Sequence, residues 1–408
     1  MIRRIVIICH NYYPEETSTG LYTTQMAEYL AANGWNVTMI TGFPHYPEWK
    51  IHKSYRTKKT FYSEVINGVH VKRYKHFVPK NPSFFKRIIQ LIDFTGGSYF
   101  NLLKIKKTDV VLSIIPFTSS AWLGQKFARK FKCHHWIHIQ DFEFDAATES
   151  GMFPKHKLGS GLLKSLYKTE RKTLDSADLV STISKGMISK LKLRTESQTY
   201  FFPNWLNEKF IDPSSADHHP FFNREKFSVL YSGNIGNKQD WDTFLRVVEA
   251  YSGDDSIEFI VIGDGAMRKN LEARVRHMNH VKIYDPIPFE NLNDLLCSAD
   301  LHILFQKDNV VDTVMPSKLL GMMASEVPCL VTGSLDSEIV GIFNSKNSGY
   351  YIQSDETAKI VSKINELSDQ RGSTSSMGKR AREIVIESFS KEKVLNKFAE
   401  KLISLDED

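Results

Sequence analysis

The segment YSGNIGNKQDWD has glycines directly after a predicted strand, a pattern that can bind an anion. Gly233 and Gly236 come after the apolar run FSVLY, and Lys238 stands just before an expected helix. A glycine turn between a strand and a helix presents backbone N–H groups to an anion, and the Lys238 ammonium adds a positive charge. The pattern predicts a diphosphate site, although a turn that needs glycine only for positive φ would look the same. It matches neither GxGxxG nor a Walker sequence, which argues against a nicotinamide enzyme and a P-loop ATPase.

The same segment contains an Asp-x-Asp pair, Asp240 and Asp242, a pattern that holds a divalent metal in some transferases. Aspartate in the first turn of a helix is also a common cap and a favourable partner for the helix dipole. We expect the capping role here. The four cysteines lie far apart with no CxxC, so the sequence predicts no zinc site and no disulfide framework, and it indicates a reducing cytosol.

Apolar runs that end in turn signals recur along the chain and predict the framework that positions these residues. In the first half they are IVIICH, NVTMITGF, DVVLSIIP, HHWIHIQDF and DLVSTIS, and in the second half they are FSVLYSGN, IEFIVIGDG, VKIYDPIP, DLHILF and VPCLVTG. Helical segments separate them, and alternating strands and helices indicate parallel sheets. We therefore expect an α/β protein with two doubly wound, Rossmann-like domains that face a cleft, and ligands at the carboxyl ends of the strands.

The predicted domain boundaries follow from the turn-rich segment between the two halves. Residues 203–227 lack periodicity and contain PSSADHHPFF, which is typical of a linker. The sequence thus predicts an N-terminal domain over 1–202 and a C-terminal domain over 203–380. Residues 381–408 are expected to be helical with a break near Ser388 to Ser390, and this helix pair could cross back to the N-terminal domain.

Charge is divided unevenly between the halves of the 408-residue chain. Residues 1–200 hold 30 Lys and Arg against 15 Asp and Glu, a net charge of +15, and the remainder carries −9. A basic half suggests an anionic surface as its partner, either nucleic acid or membrane headgroups. With 41% hydrophobic and 25% charged residues the chain is typical of a globular protein, and it contains no stretch apolar enough to cross a bilayer.

An ordered set of motifs carries a resemblance to a known family. They are a TSTG loop after the first strand, FPHYPEWK, IHIQDFEFDA, FFPNW, LYSGNIGNKQ, FIVIGDGAMRKNLE, SADLHIL and VMPSKLLGMMASEVPCLV. The set covers nearly the whole chain and resembles the retaining GT-B glycosyltransferases of family four, most closely the colanic-acid-type fucosyltransferase, exopolysaccharide and O-antigen branch. The resemblance implies a GDP- or UDP-linked sugar donor in the C-terminal domain, an acceptor in the N-terminal domain, retention of anomeric configuration, and no cofactor or required metal.

The resemblance assigns the phosphate-binding part of the donor site. Lys238 matches the family's diphosphate-binding lysine and is expected to act in catalysis, whereas Asn234 replaces an arginine of many members. Gly233, Gly263 and Gly265 match glycines of the two turns near the nucleotide. Gly20 ends the TSTG loop, which replaces the family's glycine pair and is expected to approach the donor diphosphate.

The resemblance also assigns the part of the donor site that holds the nucleoside. Ile287 lies in the loop 285–288 that matches the base-reading loop, and Asp312 lies close to the first carboxylate of the family's paired-glutamate motif. Gly321 stands where the second carboxylate usually binds the ribose. We therefore expect ribose contacts from Ser317 or Lys318 instead.

On the acceptor side, the segment IHIQD supplies the candidates. Gln140 replaces a histidine of many members, and Asp141 is expected to accept a hydrogen bond from the acceptor hydroxyl or to orient the sugar, with a helix cap as the alternative. His138 precedes them on the same strand. His45 and Tyr46 of FPHYPEW are candidates for the rim of the acceptor site. The departing phosphate is the usual proton acceptor proposed for retaining transfer, so a strong protein base is not demanded.

Two basic, apolar segments, 83–107 and 155–172, mix Phe, Leu and Ile with lysines at helical spacing. Such helices can lie in a lipid headgroup layer, although ordinary surface helices have the same pattern. No zinc finger, RRM or helix-turn-helix signature accompanies the charge, so we expect no nucleic-acid partner.

The predicted protein is thus a glycosyltransferase, peripheral on the cytoplasmic face of the plasma membrane, that adds a sugar to a polyprenyl-diphosphate-linked saccharide in surface-polysaccharide assembly. The altered positions Asn234, Gln140 and Gly321 leave two alternatives open. One is a non-catalytic nucleotide-sugar-binding subunit of a transferase complex, and the other is a GT-B-fold sugar-nucleotide epimerase.

Overall fold

The computed structural model describes residues 3–15, 18–81, 83–116, 118–145, 157–308, 317–372 and 375–405. The chain divides into two compact units. The first runs as far as Pro203 and is joined by the segment from Leu395 onwards, and the second runs from Asn204 to Val394. The segment that returns to the first unit is therefore shorter than the predicted 381–408.

The first unit is built on an eight-stranded sheet with the strand order β3-β4-β2-β1-β5-β6-β7-β8. The strands are β1 Arg3–Ile8, β2 Trp35–Gly42, β3 Phe61–Ile66, β4 Val69–Tyr74, β5 Val110–Ile115, β6 His134–Ile139, β7 Leu179–Thr182 and β8 Gln198–Phe201. All neighbouring pairs are parallel except the hairpin β3–β4. Asn67 and Gly68 both have positive φ, the geometry that a two-residue hairpin turn requires.

The central strands of this sheet are apolar because helices cover both of their faces. The helices of the unit are α1 Ser18–Ala32, α2 Phe84–Leu103, α3 Thr118–Phe131, α4 Lys157–Leu174 and α5 Lys185–Lys192. Every residue of β5 is buried. Val6 and Ile40 of the sheet pack with Leu123 and Phe127 of α3 in one core cluster.

The second unit is a six-stranded parallel sheet with the strand order β11-β10-β9-β12-β13-β14. Its strands are β9 Phe227–Ser232, β10 Ile257–Ile262, β11 Val281–Tyr284, β12 Leu301–Phe305, β13 Cys329–Thr332 and β14 Tyr350–Ile352. Its helices are α6 Trp241–Glu249, α7 Arg268–Val275, α8 Leu292–Cys297, α9 Ser317–Ala324, α10 Glu338–Lys346, α11 Thr357–Asp369 and α12 Ser375–Ile384. The order reverses between β9 and β12, and β9 and β10 end side by side because they are neighbouring parallel strands.

The end of the chain contains the predicted helical break. A π-helical turn follows α12, Ser390 is extended, and α13 spans Lys391–Ser404. Within the first unit, the Phe398 ring of α13 stacks on Phe202 with centroids 4.6 Å apart and lies 5.1 Å from Trp136. None of the helices in the described ranges is long and apolar enough to span a membrane.

Candidate donor and acceptor sites

Three glycines bring the turns after β9 and β10 into close contact. Gly233, Gly263 and Gly265 have φ values of 137°, 153° and 156°, a region that disfavours other residues. A Cβ on Gly263 would lie 1.9 Å from the Gly233 carbonyl oxygen, and one on Gly265 would lie 2.4 Å from the carbonyl oxygen of Ile235. Only glycine at these positions allows the two turns to pack backbone against backbone.

The packed turns leave some backbone donors engaged and others open. Gly233 N donates to the Ile262 carbonyl, and Gly236 N donates to the Gln239 side chain over 3.0 Å. The backbone N–H groups of Asn234, Asn237 and Lys238 make no hydrogen bond within the described part of the chain. These three donors, rather than the amide of Gly236, are the main-chain groups that can bind an anion.

Lys318 of α9 reaches the same turn. Its ammonium donates to the Tyr231 hydroxyl at 2.8 Å and to the Asn234 carbonyl at 3.2 Å, and it lies 4.8 Å from the centre of the Tyr231 ring. A Cβ on Gly233 would meet the Lys318 side chain at 2.3 Å. Burial lowers the pKa of Lys318 to about 8. The Lys318 ammonium thus lies beside Asn234, the residue that replaces the arginine of many family members.

Lys238 lies in the turn between β9 and α6 with an exposed side chain. No carboxylate among the described residues pairs with its ammonium. The Asn234 side chain is also exposed. The two residues are therefore accessible to a ligand, and their roles in donor binding and catalysis stay predictions.

Asp240 and Asp242 have the structural roles that the sequence indicated. The Asp240 carboxylate caps α6, accepting hydrogen bonds from the Thr243 backbone N–H at 3.1 Å and from the Thr243 hydroxyl at 2.6 Å. Asp242 pairs with Arg274 at 2.6 Å, and the hydrogen bond from that guanidinium lowers the pKa of the Asp242 carboxyl.

The expected nucleoside contacts are only partly described. Half-buried Ile287 lies in the loop after β11, and the neighbouring Asp285 pairs at 2.5 Å with Arg268, which also donates to the Gly263 carbonyl. Gly321 lies inside α9, one turn after Lys318. Asp312 and the side chain of Ser317 lie outside the described residues.

A hydrogen-bonded chain runs along the end of β6 in the first unit. Trp136 Nε1 donates to Ser181 Oγ at 2.7 Å, Ser181 Oγ lies 2.9 Å from His138 Nδ1, and His138 Nε2 lies 2.9 Å from the Gln140 amide. His138 is only 2% exposed, and burial lowers its pKa to about 3. A neutral His138 therefore orients the Gln140 amide, and its ring is not placed to contact an acceptor directly. Asp141 follows and is exposed.

The segments proposed to approach donor and acceptor differ in detail from expectation. Gly20 does not lie in a loop, because α1 begins at Ser18, and a Cβ on Gly20 would lie 2.5 Å from the Glu15 carbonyl oxygen. His45 is 3% exposed and is not a rim residue, since its ring packs against other buried histidines. Tyr46 is 42% exposed and remains a candidate for contact with an acceptor.

One residue near the donor turn has no signal in the sequence. A tyrosine within an apolar strand is typical of core, yet the Tyr231 hydroxyl links Lys318 to the Asn234 carbonyl. Lys318 was expected in the donor site, but nothing in the sequence indicates that α9 begins beside the turn after β9, so its contact with that turn was not predicted.

Comparisons with known proteins agree with this architecture. Residues 18–197 match the family described as Glycosyl transferase 4-like domain, and residues 226–370 match Glycosyl transferases group 1. A putative colanic acid biosynthesis glycosyl transferase, WcaI of Escherichia coli (strain K12), is 31% identical over 82% of this chain and 84% of its own length. The N-acetyl-alpha-D-glucosaminyl L-malate synthase of Bacillus anthracis is 22% identical over 97% of this chain and 95% of its own.

Solved structures share the fold at low sequence identity. Sucrose-phosphate synthase from Thermosynechococcus elongatus has a TM-score of 0.75 at 16% identity, covering 99% of both chains. Anabaena HepE in complex with UDP and glucose has a TM-score of 0.68 at 12% identity, covering 98% of this chain and 100% of its own. The chain therefore belongs to the family-four glycosyltransferases, and its two Rossmann-like units are those of the GT-B fold.

Proposed function

We propose that this glycosyltransferase moves a sugar, with retention, from a GDP- or UDP-sugar to a polyprenyl-diphosphate-linked saccharide during surface-polysaccharide assembly. The observation that carries the donor half is the turn after β9. It combines three open backbone N–H groups with the ammonium groups of Lys238 and Lys318. The likeness to Anabaena HepE, which was solved in complex with UDP-glucose, supports a nucleotide-sugar donor, and the similarity to the putative colanic acid biosynthesis glycosyl transferase WcaI supports an exopolysaccharide product.

In the proposed reaction, the bond between the anomeric carbon and the diphosphate oxygen breaks while the acceptor hydroxyl forms its bond on the same face. The departing phosphate oxygen takes the hydroxyl proton, so Asp141 needs only to orient the acceptor. Negative charge grows on the diphosphate as the bond breaks. Ammonium groups and N–H donors held at the turn stabilise that charge more in the transition state than in the ground state.

The donor proposal is tested with Lys238→Ala. We expect turnover to fall by about 100-fold or more, because removing one preorganised donor to a developing anion costs about 2.7–4 kcal/mol. The assay is nucleotide release from a panel of GDP- and UDP-sugars in the presence of membrane extract. Lys379→Ala, another exposed lysine of the second unit, is the matched control.

The products of this assay separate the alternatives. An anomeric NMR spectrum of the product reports retention or inversion. Full activity in the Lys238→Ala variant would contradict the phosphate role. A wild-type protein that binds nucleotide sugars but cleaves none of them to free nucleotide would support the non-catalytic subunit. Conversion of the donor into another nucleotide sugar, with no acceptor present, would support the epimerase.

The acceptor half of the proposal rests on the outer face of α2. Exposed apolar side chains recur there at helical spacing, with Phe85 75% and Ile92 66% exposed; the stripe consists of Phe85, Ile89, Ile92, Phe100 and Leu103. Exposed Lys86, Lys104, Lys106 and Lys107 flank it. An apolar stripe beside lysines fits an anionic lipid surface, where the rings enter the interface and the ammonium groups meet phosphates. We propose that this face docks on the cytoplasmic leaflet of the plasma membrane, next to a lipid-linked acceptor.

Vesicle sedimentation tests the membrane proposal. Wild-type protein is expected to bind vesicles of phosphatidylethanolamine and phosphatidylglycerol and to leave phosphatidylcholine vesicles largely unbound. The double variant Phe85→Ser/Ile92→Ser should bind at least about tenfold more weakly, since each large apolar side chain contributes on the order of 1.5 kcal/mol or more when buried. Leu193→Ser is the control, because Leu193 is 83% exposed on α5's end. Equal binding to both kinds of vesicle would refute the charge argument.

A further inference from the structure

Three buried histidines meet at the carboxyl ends of adjacent strands in the first unit. His10 follows β1, His45 follows β2, and His76 follows β4, and these strands are neighbours in the sheet. Their exposed fractions are 5%, 3% and 2%. One nitrogen from each ring lies within 4.8 Å of the other two. The transfer reaction proposed above uses none of these rings for its chemistry.

The geometry of the trio is close to that of three imidazoles around one metal ion. Ring centroids are 5.0 Å apart for His10–His45, 4.7 Å for His10–His76 and 4.9 Å for His45–His76. Tetrahedral zinc with Zn–N bonds of about 2.0–2.1 Å requires nitrogens roughly 3.3 Å apart. The Nε2 atoms of His10 and His76 are 3.2 Å apart. A His45 nitrogen lies within 4.8 Å of the nearest nitrogens of the other two rings, so the His45 ring must rotate towards them to complete the set.

Neighbouring groups hold the rings as outer partners of metal-bound histidines do. His45 Nδ1 lies 3.2 Å from the Phe43 carbonyl oxygen and 3.4 Å from the Glu15 carboxylate, and His76 Nδ1 lies 3.4 Å from the Tyr74 carbonyl oxygen. Protons on these Nδ1 atoms leave the Nε2 lone pairs for a ligand. Carbonyl and carboxylate partners of this kind fix the tautomer and raise the basicity of a ligating imidazole.

Glu15 extends this support to the third ring. Its carboxylate, 4% exposed as a residue, accepts a hydrogen bond from the Asn11 amide at 2.7 Å, and the Asn11 side chain is hydrogen-bonded to His10. The same carboxylate accepts hydrogen bonds from the backbone N–H groups of His45, at 2.6 Å, and Tyr46, at 2.8 Å. The Glu15 carboxyl group therefore lies against His45 and reaches His10 through Asn11, and an acidic group in this position favours a nearby cation.

We propose that His10, His45 and His76 bind one divalent transition-metal ion, with zinc as the fitting representative of imidazole-preferring metals. The ion joins the segments after β1, β2 and β4. On binding, the proton of His10 Nε2 moves to Nδ1, and the Gln90 amide, now 3.2 Å from His45 Nε2, turns away. The proposed sugar transfer uses none of these three rings, so the metal proposal and the donor proposal are tested independently of each other.

The test is metal uptake by the full chain, purified without a histidine tag and stripped with a chelator. We expect the wild-type protein to take up about one Zn²⁺ per chain, and Co²⁺ to give the intense visible absorption of a tetrahedral site. His76→Gln should weaken Zn²⁺ binding more than about 100-fold, because losing a ligand costs more than losing an outer partner. The matched control is His135→Gln, since His135 is equally buried in the same unit and is hydrogen-bonded to Ser113 instead.

Stripped wild-type protein that takes up no Zn²⁺ would overturn the proposal and identify the trio as a hydrogen-bonded histidine cluster. Equal affinities of wild-type protein and His76→Gln for Zn²⁺ would overturn it as well. If His76→Gln fails to fold, stoichiometry and the Co²⁺ spectrum of the wild-type protein decide the matter alone. An octahedral Co²⁺ spectrum would contradict the tetrahedral three-histidine site.

Discussion

Replacing Lys318 by methionine tests whether the Lys318 ammonium binds the donor diphosphate in place of the arginine that Asn234 replaces. Methionine keeps the apolar contact with the Tyr231 ring and removes the ammonium that donates to the Tyr231 hydroxyl and the Asn234 carbonyl. A hydrogen bond between charged partners contributes about 1.5–3 kcal/mol. Since 1.4 kcal/mol corresponds to a tenfold change, affinity for the nucleoside diphosphate should fall roughly 10- to 150-fold.

The pKa of Lys318 adds a pH signature that a purely structural lysine would not have. Burial lowers that pKa to about 8, so the side chain is an ammonium at pH 7 and mostly a neutral amine at pH 9. Wild-type affinity for an anionic diphosphate should therefore decrease as pH rises through 8. Lys318→Met should bind weakly at both pH values, with little dependence on pH over this range.

Isothermal titration with UDP and GDP at pH 7 and pH 9 measures both effects. The control is Lys379→Met, which removes an exposed lysine of the same unit. Circular dichroism and thermal unfolding report whether the variants keep the fold. Unchanged affinity in a folded Lys318→Met variant, or a wild-type affinity that is the same at both pH values, would refute the reasoning.

Two further predictions concern stability. Gly263→Ala should lower the free energy of unfolding in urea by several kcal/mol, because its Cβ would lie 1.9 Å from the Gly233 carbonyl oxygen. Gly253→Ala, with φ of 89° and open space around it, should lower it by only about 1–2 kcal/mol. Equal losses in the two variants would contradict the packing argument. Burial lowers the pKa of His138 to about 3 and that of His302 to about 4, so the unfolded chain binds more protons below pH 6.5. Each such histidine should then cost the folded state about 1.4 kcal/mol per pH unit between pH 6.5 and its folded pKa. The measurement is the change in urea midpoint from pH 7.5 to pH 5.5 in the wild-type protein and in His138→Gln. Equal changes in the two would exclude the histidine effect, because burial raises the pKa of Glu170 to about 7 and this contributes with the opposite sign in both proteins.

The sheet framework could be predicted because buried parallel strands appear in the sequence as uninterrupted apolar runs. The strands β1, β2 and β5 and their counterparts in the second unit follow this rule. The hairpin β3–β4 was missed, since Phe61–Ile66 alternates between exposed and half-buried residues and carries little apolar signal. The strands β8 and β14 were missed because they are short and at most half-buried, so neither appears in the sequence as an apolar run.

Site residues could be predicted where a short sequence motif determines their role. They could not be predicted where their role depends on contacts with segments that are distant in the sequence. Glycines at strand ends indicated the turns at Gly233 and Gly263, and capping rules identified Asp240. The positions of Lys318 and His45 depend on contacts with segments far along the chain. The buried Glu15, which draws the backbone of the His45 segment inward, has no recognisable motif around it.

The stacking of Phe398 on Phe202 has a consequence for biosynthesis. A nascent chain leaves the ribosome N-terminus first, so the N-terminal domain generally begins to fold before the C-terminal one. Here the first unit receives its last helical segment, from Leu395 onwards, only after the entire second unit has been translated. Until then the aromatic surface formed by Trp136 and Phe202 lacks its cover. The unit that is synthesised first is thus the one completed last, and a nascent chain stalled before Leu395 presents an apolar surface to chaperones.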